Sequence, residues 1–390
     1  MTARLTLLSS FLILLAVLAA APARAIESPA EYISLMDYDT GEIIYEKNGT
    51  ELMAPASMSK LMTMVMLFDA IRDGRVTLED EFVISENAWR KGGAASGSST
   101  MFAELGSRVP VKDLIYGVIV QSGNDACIAI AEALEGSEAA FAEKMTERAR
   151  EIGLAKSTFR NATGWPDEGH LMTANELAKL ARYIIDTYPE FYEIYAVRDF
   201  EWNGISQSNR NPLLYMNMGA DGLKTGFTNE AGYNLVGSAT RNGLRLIVVV
   251  TGLKNAKDRA DDAKKLLDYG FREFEARILF AENQIISEAK VYGGAQGKVP
   301  VTAGEQIRLM VPRNVSERIS AKMVYTGPVR APIREGQEIG KLQVMRGDAK
   351  VLEVPVQASE AVEVGTVTQR AFDAAAELVV NVFRSAAKRL

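Results

Sequence analysis

The chain has 390 residues, of which only one is histidine and one is cysteine. That leaves too few ligands for a His/Cys zinc site and no intrachain disulfide. Apolar residues at 47% and charged residues at 24% are an ordinary globular mixture, and a formal charge of −6 argues against a general nucleic-acid footprint. A Cys–His nucleophile pair would use every copy of both residues, so catalysis would rest on Ser, Lys, Tyr, Asp, Glu, Asn or Arg.

Residues 1–25 read as a secretory leader. Arg4 is followed by an almost wholly apolar run over 5–20, and Ala23-Arg24-Ala25 offers small residues for cleavage. The alternative is an uncleaved anchor, for which the run is short. Residues 32–36 and 43–45 flank Asp39-Thr-Gly41 and predict a hairpin. Residues 58–71 are apolar on nearly all sides and predict a core helix ended by Gly74. Residues 92–99 read as a flexible polar loop. Helical patterns cover 111–120, 126–134, 139–152 and 174–188. After Asp221-Gly222 the period becomes that of strands at 223–228, 233–240 and 244–251, followed by a helix over 260–274. Strands at both ends with helices between predict one α/β (α+β) domain with an antiparallel sheet flanked by helices.

From about residue 284 the chain turns β-rich, with runs at 285–292, 306–311, 321–325, 338–344 and 351–356. Pro300, Pro312, Pro328, Pro332 and Pro355 are read as interruptions. A small all-β sandwich domain is expected. At the end, Phe372, Ala375, Ala376, Val379, Val382, Phe383, Ala386 and Leu390 follow helical spacing, and Arg384, Lys388 and Arg389 add positive charge. This amphipathic helix suits an anionic membrane surface, or else docks on protein. The expected divisions are a leader (1–25), a catalytic domain (26–283), a β-rich domain (284–365) and an anchor helix (366–390).

Three short motifs carry chemistry. Ser57-Met-Ser-Lys60 puts a hydroxyl and an amine on one helical face, about one turn apart. Lysine acts as a base for serine when burial or nearby cations keep its amine neutral. Ser122-Gly-Asn124 is a turn presenting two polar side chains. Lys224-Thr-Gly226 opens a strand, and its glycine would let a bound backbone lie close. Each motif alone is weak. S-x-x-K recurs at Ser287–Lys290 and Ser385–Lys388, which are assigned to solvent, and S-x-N recurs at Ser85–Asn87, where helix capping is the plain alternative. The ordered set on a helix start, a turn and a strand is the serine acyl-transfer set of penicillin-binding proteins and class A β-lactamases.

The chain resembles the low-molecular-mass penicillin-binding proteins that are D-alanyl-D-alanine carboxypeptidases. The likeness is carried by 55–63, Gln121-Ser-Gly-Asn-Asp-Ala-Cys127, Asp221-Gly-Leu-Lys-Thr-Gly226 and Ala231-Gly-Tyr-Asn-Leu-Val236. It implies a serine transpeptidase/β-lactamase-like fold and no cofactor. It implies Ser57 as nucleophile, Lys60 as base and Ser122 as proton relay. Asn124, Lys224, Thr225, Arg210 and Arg259 would bind substrate, and the N–H groups of Ser57 and Phe227 would form the oxyanion hole. Phe227 departs from the histidine many relatives carry. The implied partners are a peptidoglycan stem peptide ending in D-Ala-D-Ala, and β-lactams as acylating inhibitors. The alternatives are a D,D-endopeptidase, a β-lactamase or a membrane-held scaffold. His170 and Cys127 are read as bystanders.

Overall fold

The computed structural model describes residues 26–313, 318–371 and 374. The leader and most of the terminal helix therefore lie outside the described residues. The chain is helical again at 367–371. No helix among the described residues is long and apolar enough to cross a membrane.

The centre is a five-stranded antiparallel sheet. Its strands run in the order Ile43–Lys47, Tyr32–Asp37, Leu244–Leu253, Gly232–Arg241 and Ala220–Thr228. The predicted N-terminal hairpin is thus completed by the three strands that come last in the domain. Side chains alternate between faces, as a period of two requires. Ile33, Leu35, Leu246, Val248 and Val250 meet the helix Ala256–Glu273 on one side. Met36, Val236, Ile247 and Val249 join the larger core on the other.

That larger core surrounds the helix Lys60–Arg72, which buries residues all round its circumference. Val111–Ile119, Asn124–Glu135, Glu138–Glu151 and Ala174–Thr187 pack against it. Phe68 stacks on Phe191 with ring centroids 4.5 Å apart. Truncating a fully buried phenylalanine of this kind costs about 3–5 kcal/mol. The helix starts are set locally. Ser85, Ser137, Thr173 and Asn255 each accept a backbone N–H from the first turn, which satisfies an otherwise orphaned donor. Asn255 therefore begins its helix four residues before the expected 260.

The β-rich part forms a six-stranded sheet and a two-stranded ribbon of Phe274–Phe280 with Ile307–Pro312. Ile307, Leu309 and Val311 of the ribbon pack on Leu342, Val344 and Val356 of the sheet. Two expectations are corrected here. Pro300 and Pro355 do not interrupt strands but lie inside Lys298–Thr302 and Ala349–Ala358. Those two strands pair with each other only at Val301–Ala358 and Thr302–Gln357. Each proline thus has a ladder partner on one side only, where a missing N–H is tolerated.

Candidate active site

Ser57 sits on the 3-10 turn Ala56–Ser59, which runs into the helix Lys60–Arg72. Ala56 holds a left-handed φ of 49°, a strain of order 1–3 kcal/mol that the surroundings enforce. Two glycines flank this turn. A Cβ at Gly226 would lie 3.2 Å from Ser57 N, and one at Gly164 would lie 2.0 Å from Ala56 O. The glycine of the Lys224-Thr-Gly226 motif thus also eases the close approach of the protein's own serine turn.

The Lys60 amine is within 2.9 Å of Ser57 Oγ and donates to the Thr163 carbonyl at 2.5 Å. Lys60 is completely buried. Burial pushes its pKa down to about 8, helped by the Arg210 charge and opposed by Asp125 and Glu138. Burial also holds Lys224 well below its ordinary value, with Lys60 and Arg210 adding repulsion. Lys224 Nζ donates to the Thr225 carbonyl at 3.1 Å, and Lys224 and Thr225 are both buried.

The Ser122–Asn124 turn closes another side. Ser122 has a φ of 66° and a buried Oγ without a partner. Asn124 is the first residue of its helix, not a loop residue. Its Nδ2 donates to Ser98 Oγ at 3.0 Å, its N–H donates to the Ser99 carbonyl at 2.8 Å, and its Oδ1 has no partner. Arg210 donates to Ser99 Oγ at 2.5 Å. Residues 92–99 run from a helix end through the 3-10 turn Ala94–Ser96 and bring Ser98 and Ser99 against Asn124 and Arg210. Gly92 permits this by lying against the Asn124–Asp125 backbone, where a Cβ would meet Asp125 N at 2.2 Å.

Phe227 is half exposed and stacks on Tyr233 at 4.3 Å between centroids. Tyr233 in turn lies under the Arg259 guanidinium at 5.8 Å, and Arg259 Nε is buried without a partner. Hydrogen bonds join Ser57 to Lys60 and the Asn124 and Arg210 side chains to Ser98 and Ser99, and Lys60, Lys224, Arg210 and Arg259 lie close enough to feel one another's charge. Ser122 Oγ, Asn124 Oδ1 and Arg259 Nε, buried without partners, are the kind of polar atoms that are ordinarily costly.

The motif copies separate cleanly. Ser287 and Lys290 are exposed. Ser85 caps a helix, and Asn87 donates to Glu132. Ser385–Lys388 lies outside the described residues. His170 is buried, its Nδ1 accepts from Arg160 N–H at 3.3 Å, and burial with nearby cations lowers its pKa to about 4. That arrangement gives no support to a Ser–His–Asp triad. Cys127 is completely buried, and burial pushes its thiol up to about 12.

Residues that sequence reasoning passed over complete the frame. The Asp125 carboxylate accepts from Thr100 Oγ, Met101 N and Ala103 N, tying the Ser98–Ser99 wall to the Ser122–Asn124 turn. Its signal was its place directly after the Ser-Gly-Asn motif. Asn161 and Thr163, in the turn behind Lys60, carry no periodicity that would have exposed them.

A family model described as D-alanyl-D-alanine carboxypeptidase matches residues 18–255, and one described as penicillin-binding protein 5, C-terminal domain, matches 274–364. The D-alanyl-D-alanine carboxypeptidase DacC of Escherichia coli K12 is 37% identical over 371 residues, 94% of this chain and 93% of that protein. The crystal structure of penicillin-binding protein 5 from Haemophilus influenzae superposes with a TM-score of 0.76 at 35% identity, covering 87% of this chain and 98% of that one. Penicillin-binding protein D2 of Listeria monocytogenes in its ampicillin-bound form is 30% identical with a TM-score of 0.55, over 63% of this chain and 99% of that one. With family models matched over both parts and a relative 37% identical over most of its length, the chain belongs to the D-alanyl-D-alanine carboxypeptidase family.

Proposed function

We propose that the protein is a serine D,D-carboxypeptidase that removes the terminal D-alanine from peptidoglycan stem peptides. The observation that carries this reading is the buried Lys60 amine 2.9 Å from Ser57 Oγ, with its pKa held down at about 8. At pH 7 about a tenth of such lysines are neutral, far more than in free lysine.

Ser57 Oγ attacks the carbonyl carbon of the penultimate D-alanine while its proton passes to Lys60 Nζ. The oxyanion is held by the N–H groups of Ser57 and Phe227. Ser122 passes a proton to the departing D-alanine nitrogen as the peptide bond breaks, with Lys224 close by to orient the relay. Asn124 binds the substrate amide. Thr225, Arg210 and Arg259 hold the terminal carboxylate, for which the planar guanidinium fork is well suited. Water then releases the acyl group from Ser57. A β-lactam mimics the D-Ala-D-Ala end, acylates Ser57 and leaves slowly.

The remaining architecture fits a bacterial cell-envelope enzyme. The leader (1–25) directs export, residues 26–273 hold the catalytic domain, and the β-rich domain runs from the ribbon strand Phe274–Phe280 to residue 365, starting ten residues before the expected 284. The amphipathic segment 366–390 rests on the anionic periplasmic face of the inner membrane.

The test is mass spectrometry after incubation with a labelled penicillin, followed by a D-alanine release assay on a pentapeptide. An adduct on Ser57 with D-alanine release is expected. The absence of any Ser57 adduct sinks the acyl-transfer reading. An adduct with rapid penicillin turnover and no D-alanine release indicates a β-lactamase. For the anchor, deletion of 368–390 is expected to release the protein from envelope membranes, and unchanged membrane association refutes that part.

A further inference from the structure

The turn 161–165 lies behind Lys60, outside the three motifs, and its geometry is unusually determined. Asn161 Oδ1 accepts from the N–H groups of Thr163, Gly164 and Trp165 at 3.2, 2.8 and 3.2 Å, and from the Thr163 hydroxyl at 3.0 Å. Asn161 Nδ2 donates to the Trp165 carbonyl at 3.0 Å. One carboxamide therefore closes the whole turn. From outside, Thr63 Oγ1 donates to the Ala162 carbonyl at 2.7 Å. Gly164, at φ 80°, is pressed onto the turn that carries Ser57. The product of this bracing is one carbonyl, that of Thr163, aimed at Lys60 Nζ from 2.5 Å.

That carbonyl matters because of what a neutral amine offers. A neutral lysine has two N–H donors and one lone pair. Spending one donor on a fixed carbonyl limits rotation about the last bond of a flexible stem. With protonated Lys60 the amine donates to Ser57 Oγ 2.9 Å away, and on losing its proton the same fixed amine can offer its lone pair to that hydroxyl instead. Once the amine has taken the serine proton, the same carbonyl accepts a stronger, charge-assisted hydrogen bond.

We propose that Asn161 is a positioning residue for the acylation step, acting by holding the Thr163 carbonyl that orients the Lys60 base. This rests on the acyl-transfer reading of Ser57 and Lys60. The charged and titratable groups that face Lys60 are Asp125 and Cys127 on the helix Asn124–Glu135, Glu138 on the next helix, Lys224 on the edge strand, and Arg210 and His170. Asn161 itself is uncharged, so its removal acts on Lys60 through the carbonyl.

The experiment compares full-length parent, Asn161→Ala and Asn161→Asp. It measures acylation by a chromogenic cephalosporin from pH 5.5 to 9.5, separating the pre-acylation affinity from the acylation rate constant. Circular dichroism and thermal melting establish that each variant is folded. Asn161→Ala is expected to slow acylation by about tenfold or more with little change in affinity, as for an interaction made in the transition state. Its acidic limb is expected to move to lower pH, because an ammonium without its carbonyl is less stable. Asn161→Asp keeps the accepting oxygens and is expected to recover most of the rate. Its added negative charge moves the limb the other way, to higher pH.

Parent-like rate and limb in Asn161→Ala would overturn the proposal. So would an Asn161→Asp variant as slow as Asn161→Ala, or limbs that move in the same direction in both. A parent that forms no Ser57 adduct refutes the acyl-transfer reading instead, so the two failures are distinguishable.

Discussion

Replacing Lys60 by methionine separates what this residue does for chemistry from what it does to the fold. Lys60 is completely buried, and its pKa falls from 10.5 to about 8. At 1.36 kcal/mol per tenfold, that depression is worth about 3 kcal/mol against the folded state wherever the amine is protonated. The sign follows from proton counting. Below pH 8 both folded and unfolded chains carry the proton, and the full penalty applies. Between pH 8 and 10.5 the folded chain has shed it while the unfolded chain still holds it, so the parent gains stability as pH rises. A methionine of similar reach carries no such penalty at any pH. It does leave the Thr163 carbonyl and the Ser57 hydroxyl without their donor, at about 1–3 kcal/mol. Lys60→Met is thus expected to be more stable than the parent by about 0–2 kcal/mol at pH 7, and inactive. The decisive quantity is the gap between the two proteins, read from urea midpoints at pH 7, 8, 9 and 9.5. It should shrink by about 2 kcal/mol across that window. A gap that stays constant would refute the burial-depressed amine, and with it the reason Lys60 can act as a base.

Four other outcomes are expected. Arg210→Gln removes a cation that lowers the Lys60 pKa, so the acidic limb of penicillin acylation should move to higher pH; a limb that stays in place counts against the electrostatic coupling. Asp125→Ala strands the Met101 and Ala103 N–H groups and the Thr100 hydroxyl in a buried place and should lower the urea-derived stability by about 3 kcal/mol or more. Gly226→Ala puts a Cβ 3.1 Å from Ala56 Cβ and 3.2 Å from Pro55 O and Ser57 N; by displacing the nucleophile it should slow acylation about tenfold or more, and a parent-like rate rejects the close-approach argument. Cys127→Ala and His170→Gln should leave Ser57 acylation largely intact, whereas a loss as deep as that of Lys60→Met would bring a bystander into the mechanism.

The parts of this molecule legible in the sequence are those where one physical demand repeats. The strands Gly232–Arg241 and Leu244–Leu253 each run ten residues with buried centres, and the Arg241-Asn-Gly243 turn between them marks the hairpin. The helix Lys60–Arg72 is apolar all round because all of it is core. The hairpin of Asp199–Trp202 with Ile205–Ser208 was passed over because its strands are only four residues long. Its Asn203-Gly204 turn, with both residues at positive φ, was nonetheless a readable signal. The chemistry was legible because the nucleophile and base need particular side chains at a helical spacing. The frame behind it was not. Asp125 and Asn161 brace backbone N–H groups, and Ser98 and Ser99 accept from Asn124 and Arg210, roles for which almost any polar residue has the hydrogen-bonding capacity in principle. Only the fold shows which ones do.

The acidic balance of the chain and the character of its site point in opposite directions, and that contrast has a physical consequence. The protein carries −6 overall, yet Lys60, Lys224, Arg210 and Arg259 lie within one another's electrostatic reach, and no acidic side chain hydrogen-bonds to any of the four among the described residues. Burying a cation without a hydrogen-bonded counter-ion destabilises a fold, and the pKa depressions of the two buried lysines, Lys60 and Lys224, express that penalty. Ser122 Oγ, Asn124 Oδ1 and Arg259 Nε are left without partners in the same place. Conflict of this kind between local stability and the rest of the fold is expected at functional sites. A ligand ending in a carboxylate and carrying an amide relieves most of it at once, by supplying the anion and the hydrogen-bonding groups that the walls lack. The same burial, with Arg210 adding repulsion, keeps Lys60 partly neutral, so that the base is ready before substrate arrives. Neither the single histidine nor the single cysteine is needed for that readiness.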